Sequence, residues 1–275
     1  GSGKAPAASE IDWFLEHGIT EIDYQSPHSV VVPGCVAAWQ KLSDDYGKKT
    51  LAECLQPAIS SARDGYVVHS VIANEWSQQL EKLSADSNSR DIFLPSGRAP
   101  SAGEVHVQPA LARTLQTIAE NGADGFYHGD VAEQMVEFLS NKGGLHTVQD
   151  FSETAADYVV PISTNYRGYE VIECPPNGQG IIALEILNIL HGFDLKKLAP
   201  LGVDRLHVEA EATRLAFRDR AAFLADPTQV DVPVAKLLSM DYADKLRSEI
   251  SMTTAMTKLP TPGEVAHADT VYLTV

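Results

Sequence analysis

A helical hydrophobic period, repeatedly closed by glycine, is the feature that most constrains the fold of this chain. In residues 51–63, 109–121 and 130–142 the apolar side chains recur every three or four positions, and each segment is followed by glycine within two residues. Apolar side chains at this spacing share one face of a helix, and glycine commonly ends a helix. The sequence therefore predicts a mainly helical chain, without an internal repeat.

Further helical segments alternate with few strands. The same period extends the prediction to five more segments: 9–18, 36–47, 71–83, 181–190 and 208–224. We interpret the stretch from His207 to Glu211, at the start of the last of these segments, as the solvated side of a helix. Val30 to Val32 predicts a short strand, and 84–90 is polar and expected to be exposed. Tyr158 to Ile162 and Tyr169 to Glu173 are rich in aromatic and β-branched residues, so they predict a hairpin near 158–173.

The last residues of the chain, 270–275, have the composition of a strand, which suggests a fragment of a longer protein. A threonine at the start of such a strand has a possible chemistry. If the Asp269–Thr270 bond broke, Thr270 would carry a hydroxyl nucleophile beside an α-amine with a pKa of roughly 7.7–8.0, which can act as a base. The tail alone favours the simpler interpretation, in which Thr270 is an ordinary strand threonine.

Composition excludes several classes of function. A net charge of −16 disfavours nucleic acid and anionic membranes as partners, and no apolar run has the length of a membrane span. Three separated cysteines form neither a disulfide framework nor a zinc site, and the nine histidines do not cluster. We therefore expect no metal and no organic cofactor. A soluble protein of a bacterial type of cytoplasm or periplasm is expected, with the compartment left open.

An ordered set of short motifs carries a resemblance that covers nearly the whole chain. They are Val32-Pro33-Gly34, Tyr46-Gly47, Pro57-Ala58-Ile59 with Ala62 and Gly65, Gln108-Pro109-x-Leu111-Ala112-x-Thr114-Leu115, Gly125-Phe126-Tyr127-x-Gly129, Tyr166-Arg167-Gly168-Tyr169, Pro175-Pro176-Asn177-Gly178-Gln179-Gly180, Leu187-Asn188-Ile189-Leu190, Phe217-x-Asp219-Arg220 and Asp269-Thr270-Val271-Tyr272. In this order they resemble the large-subunit region of the γ-glutamyltransferase (γ-glutamyltranspeptidase) family.

This resemblance implies an N-terminal nucleophile hydrolase of the α+β class. The complete protein would be a four-layer αββα sandwich, of which this chain supplies mostly a helical large-subunit lobe. The implied organisation is a lobe over 1–250, an exposed linker over 251–269 and the first strand of the small subunit over 270–275. The small subunit, made from the same precursor, would be the partner of this chain.

The resemblance also implies the catalytic chemistry. The precursor would cut itself between Asp269 and Thr270, and Thr270 would then attack an amide substrate to form an acyl-enzyme. The expected activity is that of an amide hydrolase or acyltransferase acting on γ-glutamyl or related amides. This fragment alone is expected to be inactive, because the oxyanion donors of the family belong to the small subunit.

Two departures from the family pattern concern the substrate. γ-Glutamyltransferases place an arginine shortly before an Ala-Pro dipeptide, where it pairs with the α-carboxylate of the glutamyl group. Here Ala5-Pro6 aligns Ser2 with that arginine, and Lys4 follows, so Ser2 and Lys4 are the candidate substrate-binding residues. The loop 175–180 also differs, and both features resemble the acylase-like branch. Three alternatives therefore stay open: an acylase of a non-glutamyl amide, a non-catalytic family member that binds a partner, and an unrelated helical-repeat domain.

Overall fold

The computed structural model describes residues 3–262, and the chain divides into two compact units between Ala156 and Asp157. This division falls within residues 1–250, the region expected to form the large-subunit lobe. Ser2, Asp269 and Thr270, and with them the expected strand over 270–275, lie outside the described residues. None of the helices in residues 3–262 combines the length and the apolar character needed to cross a membrane.

Ten helices and one short strand pair make up the described part of the first unit. In chain order they are α1 Ile11–Glu16, α2 Cys35–Tyr46, α3 Leu51–Asp64, β1 Tyr66–Val67, α4 Ser70–Gln78, α5 Leu80–Ser84, α6 Ser87–Phe93, β2 Val105–His106, α7 Pro109–Asn121, α8 Asp124–Tyr127, α9 Asp130–Asn141 and α10 Val148–Ser152. A 3-10 turn covers Pro27–Ser29. Strands β1 and β2 pair antiparallel, with Tyr66 opposite His106.

Helix α3 shows how the local sequence sets a helix. Thr50 accepts a hydrogen bond from the Glu53 amide, and the Glu53 carboxylate accepts one from the Thr50 amide, so the first turn has a complete capping box. Gly65 follows with φ of 94°, a conformation that suits glycine. The apolar face of α3 packs against α7, and Ile59 and Ile118 are buried in the resulting core.

Two expectations for the first unit differ from the structure. The predicted helix over 71–83 is two helices, α4 and α5, with Gln79 between them. Val30 to Val32 forms no strand, although the Val32 amide is hydrogen-bonded and its side chain is buried. The polar stretch 84–90 is mostly exposed, as expected, and it leads into helix α6, which the Asp86 carboxylate caps by accepting a hydrogen bond from the Ser89 amide.

The second unit begins with a hairpin and continues with four helices in the described residues. They are β3 Ile162–Tyr166, β4 Tyr169–Glu173, α11 Gly180–His191, α12 Val203–Phe223, α13 Val234–Leu237 and α14 Met240–Ser248, with a 3-10 turn at Leu195–Lys197. Its core lies between α11, α12 and α14, where Ile189, Leu215 and Leu246 are almost fully buried. The two antiparallel pairs, β1 with β2 and β3 with β4, are the sheet content of residues 3–262, so this part of the chain is mostly helical.

The hairpin corrects the prediction for its first strand, which covers 162–166 rather than 158–162. Arg167 and Gly168 have φ of 55° and 91°, so they form a tight two-residue turn with Tyr166 opposite Tyr169. In the register set by that turn, residues 158–161 would pair with 174–177, which contain two prolines that cannot donate ladder hydrogen bonds. The second strand, Tyr169–Glu173, is confirmed as predicted.

Candidate functional site

Of the four residues that the sequence analysis nominated, Lys4 alone lies among the described residues. Its backbone carbonyl accepts a hydrogen bond from the Val32 amide at 2.9 Å, while its side chain is exposed. The structure therefore anchors the main chain at Lys4. Because Ser2, Asp269 and Thr270 lie outside the described residues, their positions relative to Lys4 are not part of the structure.

The N-terminal segment is held close to residue 32 by its backbone. Gly3 has φ of 99°, and a Cβ atom at this position would lie 1.8 Å from the Val32 carbonyl oxygen. Further along, the Ala7 amide donates to Asp150 Oδ1 at 2.9 Å, and Pro6 between these contacts is buried. These contacts leave the Lys4 ammonium group as the free cation of this segment within residues 3–8.

A second feature, which the sequence analysis missed, lies on helix α12. The segment 251–260, called the strap below, has neither helix nor strand and is mostly exposed, yet it is hydrogen-bonded to that helix. His207 Nε2 lies 2.7 Å from the Ser251 carbonyl oxygen, and Glu211 Oε2 accepts from the Met256 amide at 3.2 Å. The side of α12 interpreted as solvated is therefore the side that holds the strap.

Two arginines complete the attachment of the strap. Arg214 Nη1 donates to the Met256 carbonyl at 2.7 Å and to Glu211 Oε1 at 2.9 Å. Arg218 Nη1 donates to the Pro260 carbonyl at 3.4 Å. The four helix positions, 207, 211, 214 and 218, are four, three and four residues apart, which places them on one face of α12. This spacing is the signal in the sequence that would have indicated a partner segment.

Beneath the strap lies a buried ionic cluster in the core of the second unit. Asp219 accepts hydrogen bonds from Arg218 Nε and from the Tyr242 hydroxyl, each at 2.8 Å. Arg218 also reaches Glu249 Oε2 at 3.3 Å. Glu185, on α11, has no exposed surface and lies beside Asp219. The cluster therefore links α11, α12 and α14 around one carboxylate.

The charges of this cluster follow from its burial. Burial, together with the neighbouring Asp219 carboxylate, raises the pKa of Glu185 to about 10, so Glu185 is protonated at neutral pH. Burial and the hydrogen bond to Asp219 likewise raise the pKa of the Tyr242 hydroxyl, which stays neutral. Arg218 and Asp219 then form an internal pair of opposite charges. Such a pair needs complete hydrogen bonding to offset its loss of hydration.

A metal-binding site is absent from the part of the chain that the structure describes. In residues 3–262 no group of three or more His, Cys, Asp or Glu side chains is arranged to hold a metal ion. The buried Asp219 carboxylate is instead hydrogen-bonded to Arg218 and Tyr242, and Glu185 lies beside it.

Comparison with known proteins identifies the family. The model of the gamma-glutamyltranspeptidase family matches residues 1–275. The glutathione hydrolase-like YwrD proenzyme of Bacillus subtilis (strain 168) is 36% identical over 247 residues, which are 90% of this chain and 46% of that protein. The acylase ACY 1 proenzyme of Pseudomonas sp. (strain SE83) is 36% identical over 248 residues, which are 90% of this chain and 44% of that protein. The chain thus spans about half the length of these curated relatives.

Solved structures agree with this match. A cephalosporin acylase from Bacillus halodurans is 38% identical, with a TM-score of 0.84 over 91% of this chain and 48% of that one. The gamma-glutamyltranspeptidase of Helicobacter pylori is 31% identical, with a TM-score of 0.84 over 93% of this chain and 74% of that one. With every residue matched by the family model and the fold shared with these structures, the chain belongs to the gamma-glutamyltranspeptidase family.

Proposed function

We propose that this chain is the large-subunit part of a self-processing amide hydrolase or acyltransferase that cleaves γ-glutamyl or related amides through a Thr270 acyl-enzyme. The observation that carries the proposal is the family match over residues 1–275, together with relatives that are named glutathione hydrolase and acylase proenzymes. The complete protein would be an αββα sandwich, in which a small subunit beginning at Thr270 is the partner of this chain.

Self-processing in this proposal starts at the Asp269–Thr270 bond. The Thr270 hydroxyl attacks the carbonyl carbon of Asp269, the peptide becomes an ester as the acyl group moves from nitrogen to oxygen, and water hydrolyses the ester. The products are a carboxylate at Asp269 and a free α-amine on Thr270. That amine then serves as the base when the same hydroxyl attacks the substrate amide, and water or an amine accepts the acyl group.

The strap supports the first step of this mechanism. Its hydrogen bonds to α12 hold the chain as far as Pro260, and residues 261–269 lead from there to the proposed nucleophile. Attack on a neighbouring carbonyl requires the two reacting atoms to be held at a short, defined separation. An anchor at Pro260, nine residues before Asp269, restricts the conformations open to the chain that leads to the junction.

A second candidate function is the hydrolysis of a non-glutamyl amide. It is favoured by the N-terminal segment, where Ser2 aligns with the family arginine and the Lys4 ammonium is the charge that remains. An ammonium group offers a point charge and lacks the planar fork with which arginine binds a carboxylate through two hydrogen bonds. Relatives named acylase, at 36% identity, fit the same interpretation.

Intact mass measurement of the complete precursor at neutral pH tests the proposal. We expect the wild type to split between Asp269 and Thr270 and the Thr270→Ala variant to stay whole. Thr274→Ala, four residues further on, is the matched control and should split like the wild type. A wild type that stays whole would overturn the proposal and favour a non-catalytic family member.

Three anilides then distinguish the two candidate substrates. γ-Glutamyl anilide carries both the α-amine and the α-carboxylate, glutaryl anilide lacks the amine, and 4-aminobutyryl anilide lacks the carboxylate. A glutamyl enzyme should prefer the first by at least tenfold in kcat/KM. If Lys4 contacts the α-carboxylate, Lys4→Ala should raise KM for the first anilide and leave that for the third unchanged. Good turnover of γ-glutamyl anilide with KM unaffected by Ser2→Ala and Lys4→Ala would exclude both residues from glutamyl recognition.

A further inference from the structure

We infer that Glu211 and Arg214 are positioning residues for self-cleavage. Together they hydrogen-bond the backbone of Met256, a pair of contacts called the grip below, and so set the register of the strap that leads to the junction. This inference rests on the proposed function, since it assigns a role in the same self-processing step. Neither residue is proposed to touch the reacting atoms.

The grip involves both backbone polar groups of Met256, its amide and its carbonyl. Glu211 Oε2 accepts from the Met256 amide, and Arg214 Nη1 donates to the Met256 carbonyl. Glu211 and Arg214 are themselves an ion pair with an N–O distance of 2.9 Å. An amide and a carbonyl on the same residue are thus paired as they would be with a neighbouring strand, although the partner is a helix.

Rigid surroundings make this ion pair a fixed reference point. The Glu211 side chain is 4% exposed, so its position is set by the core of the second unit. Arg214 is partly exposed but donates the same Nη1 hydrogen-bonding group to Glu211 and to Met256. Hydrogen bonds to charged groups are stronger than those between neutral groups, so this ion pair favours one register of the short segment.

Alternative registers would be open to the strap without this grip. Met256 and Leu259 pack against the apolar core, and such contacts are non-directional. They would hold the strap near α12 without fixing which peptide group faces which side chain. The hydrogen bonds of His207 to Ser251 and of Arg218 to Pro260 lie at the two ends, so the Met256 grip is the middle attachment.

Register matters because it sets how the chain from Met256 to Asp269, thirteen residues long, reaches the junction. A shift of one residue moves an extended chain by about 3.3 Å. A misplacement of about 1 Å is enough to cost on the order of 100-fold in rate when a reaction depends on positioning. Loss of the grip is therefore expected to slow self-cleavage while leaving the processed enzyme intact, since Thr270 then no longer depends on the strap for its attack.

The test compares Arg214→Met with Arg205→Met in the complete precursor. Arg205 lies on the same helix and pairs with Glu209 at 2.8 Å, so its loss removes a similar charge without touching the strap contacts described above. We expect Arg214→Met to slow cleavage by about 10- to 100-fold, measured by intact mass over time. Arg205→Met should cleave within twofold of the wild type. The kcat/KM of each protein, per mole of cleaved chain, should stay within twofold.

Conservative variants separate positioning from folding. Glu211→Gln keeps an acceptor for the Met256 amide, and Arg214→Lys keeps the charge without the fork, so both should cleave at intermediate rates. If Arg214→Met gives no folded protein, Glu211→Gln and Arg214→Lys provide the test instead. Self-cleavage at the wild-type rate in both variants would overturn the inference.

Other outcomes are equally decisive. Cleavage of Arg214→Met at the wild-type rate would overturn the inference and leave the proposed function standing. Equal slowing in Arg205→Met, or a loss of kcat/KM that parallels the loss of cleavage, would reduce the role of Arg214 to general stability and also overturn it. A wild-type precursor that never cleaves would instead overturn the proposed function, and the inference with it.

Discussion

Tyr242 on α14 donates its hydroxyl hydrogen to the Asp219 carboxylate on α12 across 2.8 Å, and both side chains are buried. Asp219 also accepts from its neighbour Arg218, so two donors from two helices share one carboxylate. A buried carboxylate is stable in its charged form only when such donors replace the water it has lost. The contact therefore ties the packing of α14 to the charge state of the core.

Loss of the Tyr242 hydroxyl should weaken the second unit. Tyr242→Phe removes one hydrogen bond to a buried charge, and we expect it to lower the free energy of unfolding by about 1.5–3 kcal/mol. Thermal or urea unfolding of the processed protein measures the change. Tyr24→Phe is the matched control, because Tyr24 is 96% exposed, and it should change stability by less than about 0.5 kcal/mol. Equal stability of the two variants would contradict the role given to the Tyr242–Asp219 contact.

Glu185 should make the stability of the protein depend on alkaline pH. Its pKa is raised to about 10 in the folded protein and is about 4.3 in an unfolded chain. Between these two pH values the folded state holds a proton on Glu185 that the unfolded state releases. The contribution of Glu185 to the free energy of unfolding is therefore largest at low pH and is lost as the pH rises toward 10.

Glu185→Gln isolates this effect, because glutamine resembles the protonated side chain and does not titrate. We expect the Tm of the wild type, relative to that of Glu185→Gln, to fall steadily as pH rises from about 5 to about 9. Differential scanning fluorimetry across that range measures it. A difference in Tm that is independent of pH would show that Glu185 is charged in the folded protein.

Gly3 should be indispensable for the close approach of the N-terminal segment to Val32. Alanine at this position would have an unfavourable φ and a Cβ atom 1.8 Å from a backbone oxygen. We expect Gly3→Ala to release the segment, which is detected as faster hydrogen exchange in peptides containing Val32, whose amide donates to Lys4. Gly18→Ala is the control. It has a φ of 70° but nothing within 4 Å, so it should cost about 1 kcal/mol and leave Val32 protected.

Asn188 should connect the hairpin to the helices of the second unit. Its side chain, 1% exposed, accepts a hydrogen bond from the Thr164 hydroxyl on β3 and donates to the Leu238 carbonyl at 3.0 Å. We expect Asn188→Ala to lower the free energy of unfolding by about 2–3 kcal/mol, because the Leu238 carbonyl would lose its hydrogen-bond donor. Thr164→Val removes the hydroxyl alone, and a double-mutant cycle should give a coupling of at least about 0.5 kcal/mol. Strictly additive losses would refute the connection.

Several elements could be predicted because their signals are local. Helices α2, α3 and α7 lie where the hydrophobic period and the following glycine indicated. Strand β4 has the predicted bounds, whereas β3 was placed four residues early. A strand pattern shows which residues suit a sheet, but the register is set by the turn, and here it required Arg167 in a left-handed conformation that a non-glycine residue seldom adopts.

The sequence by itself determined the helical character of the chain, its family and the residues nominated for chemistry, because periodicity, glycine stops and ordered motifs are all written along the chain. Only the tertiary structure decided that one face of α12 holds the strap and that Glu185 is protonated beside Asp219. Both depend on residues 34 or more positions apart in the sequence, Glu185 and Asp219 in one case and Arg214 and Met256 in the other. Contacts over such separations, and the loss of water that shifts a pKa, arise when the helices pack together.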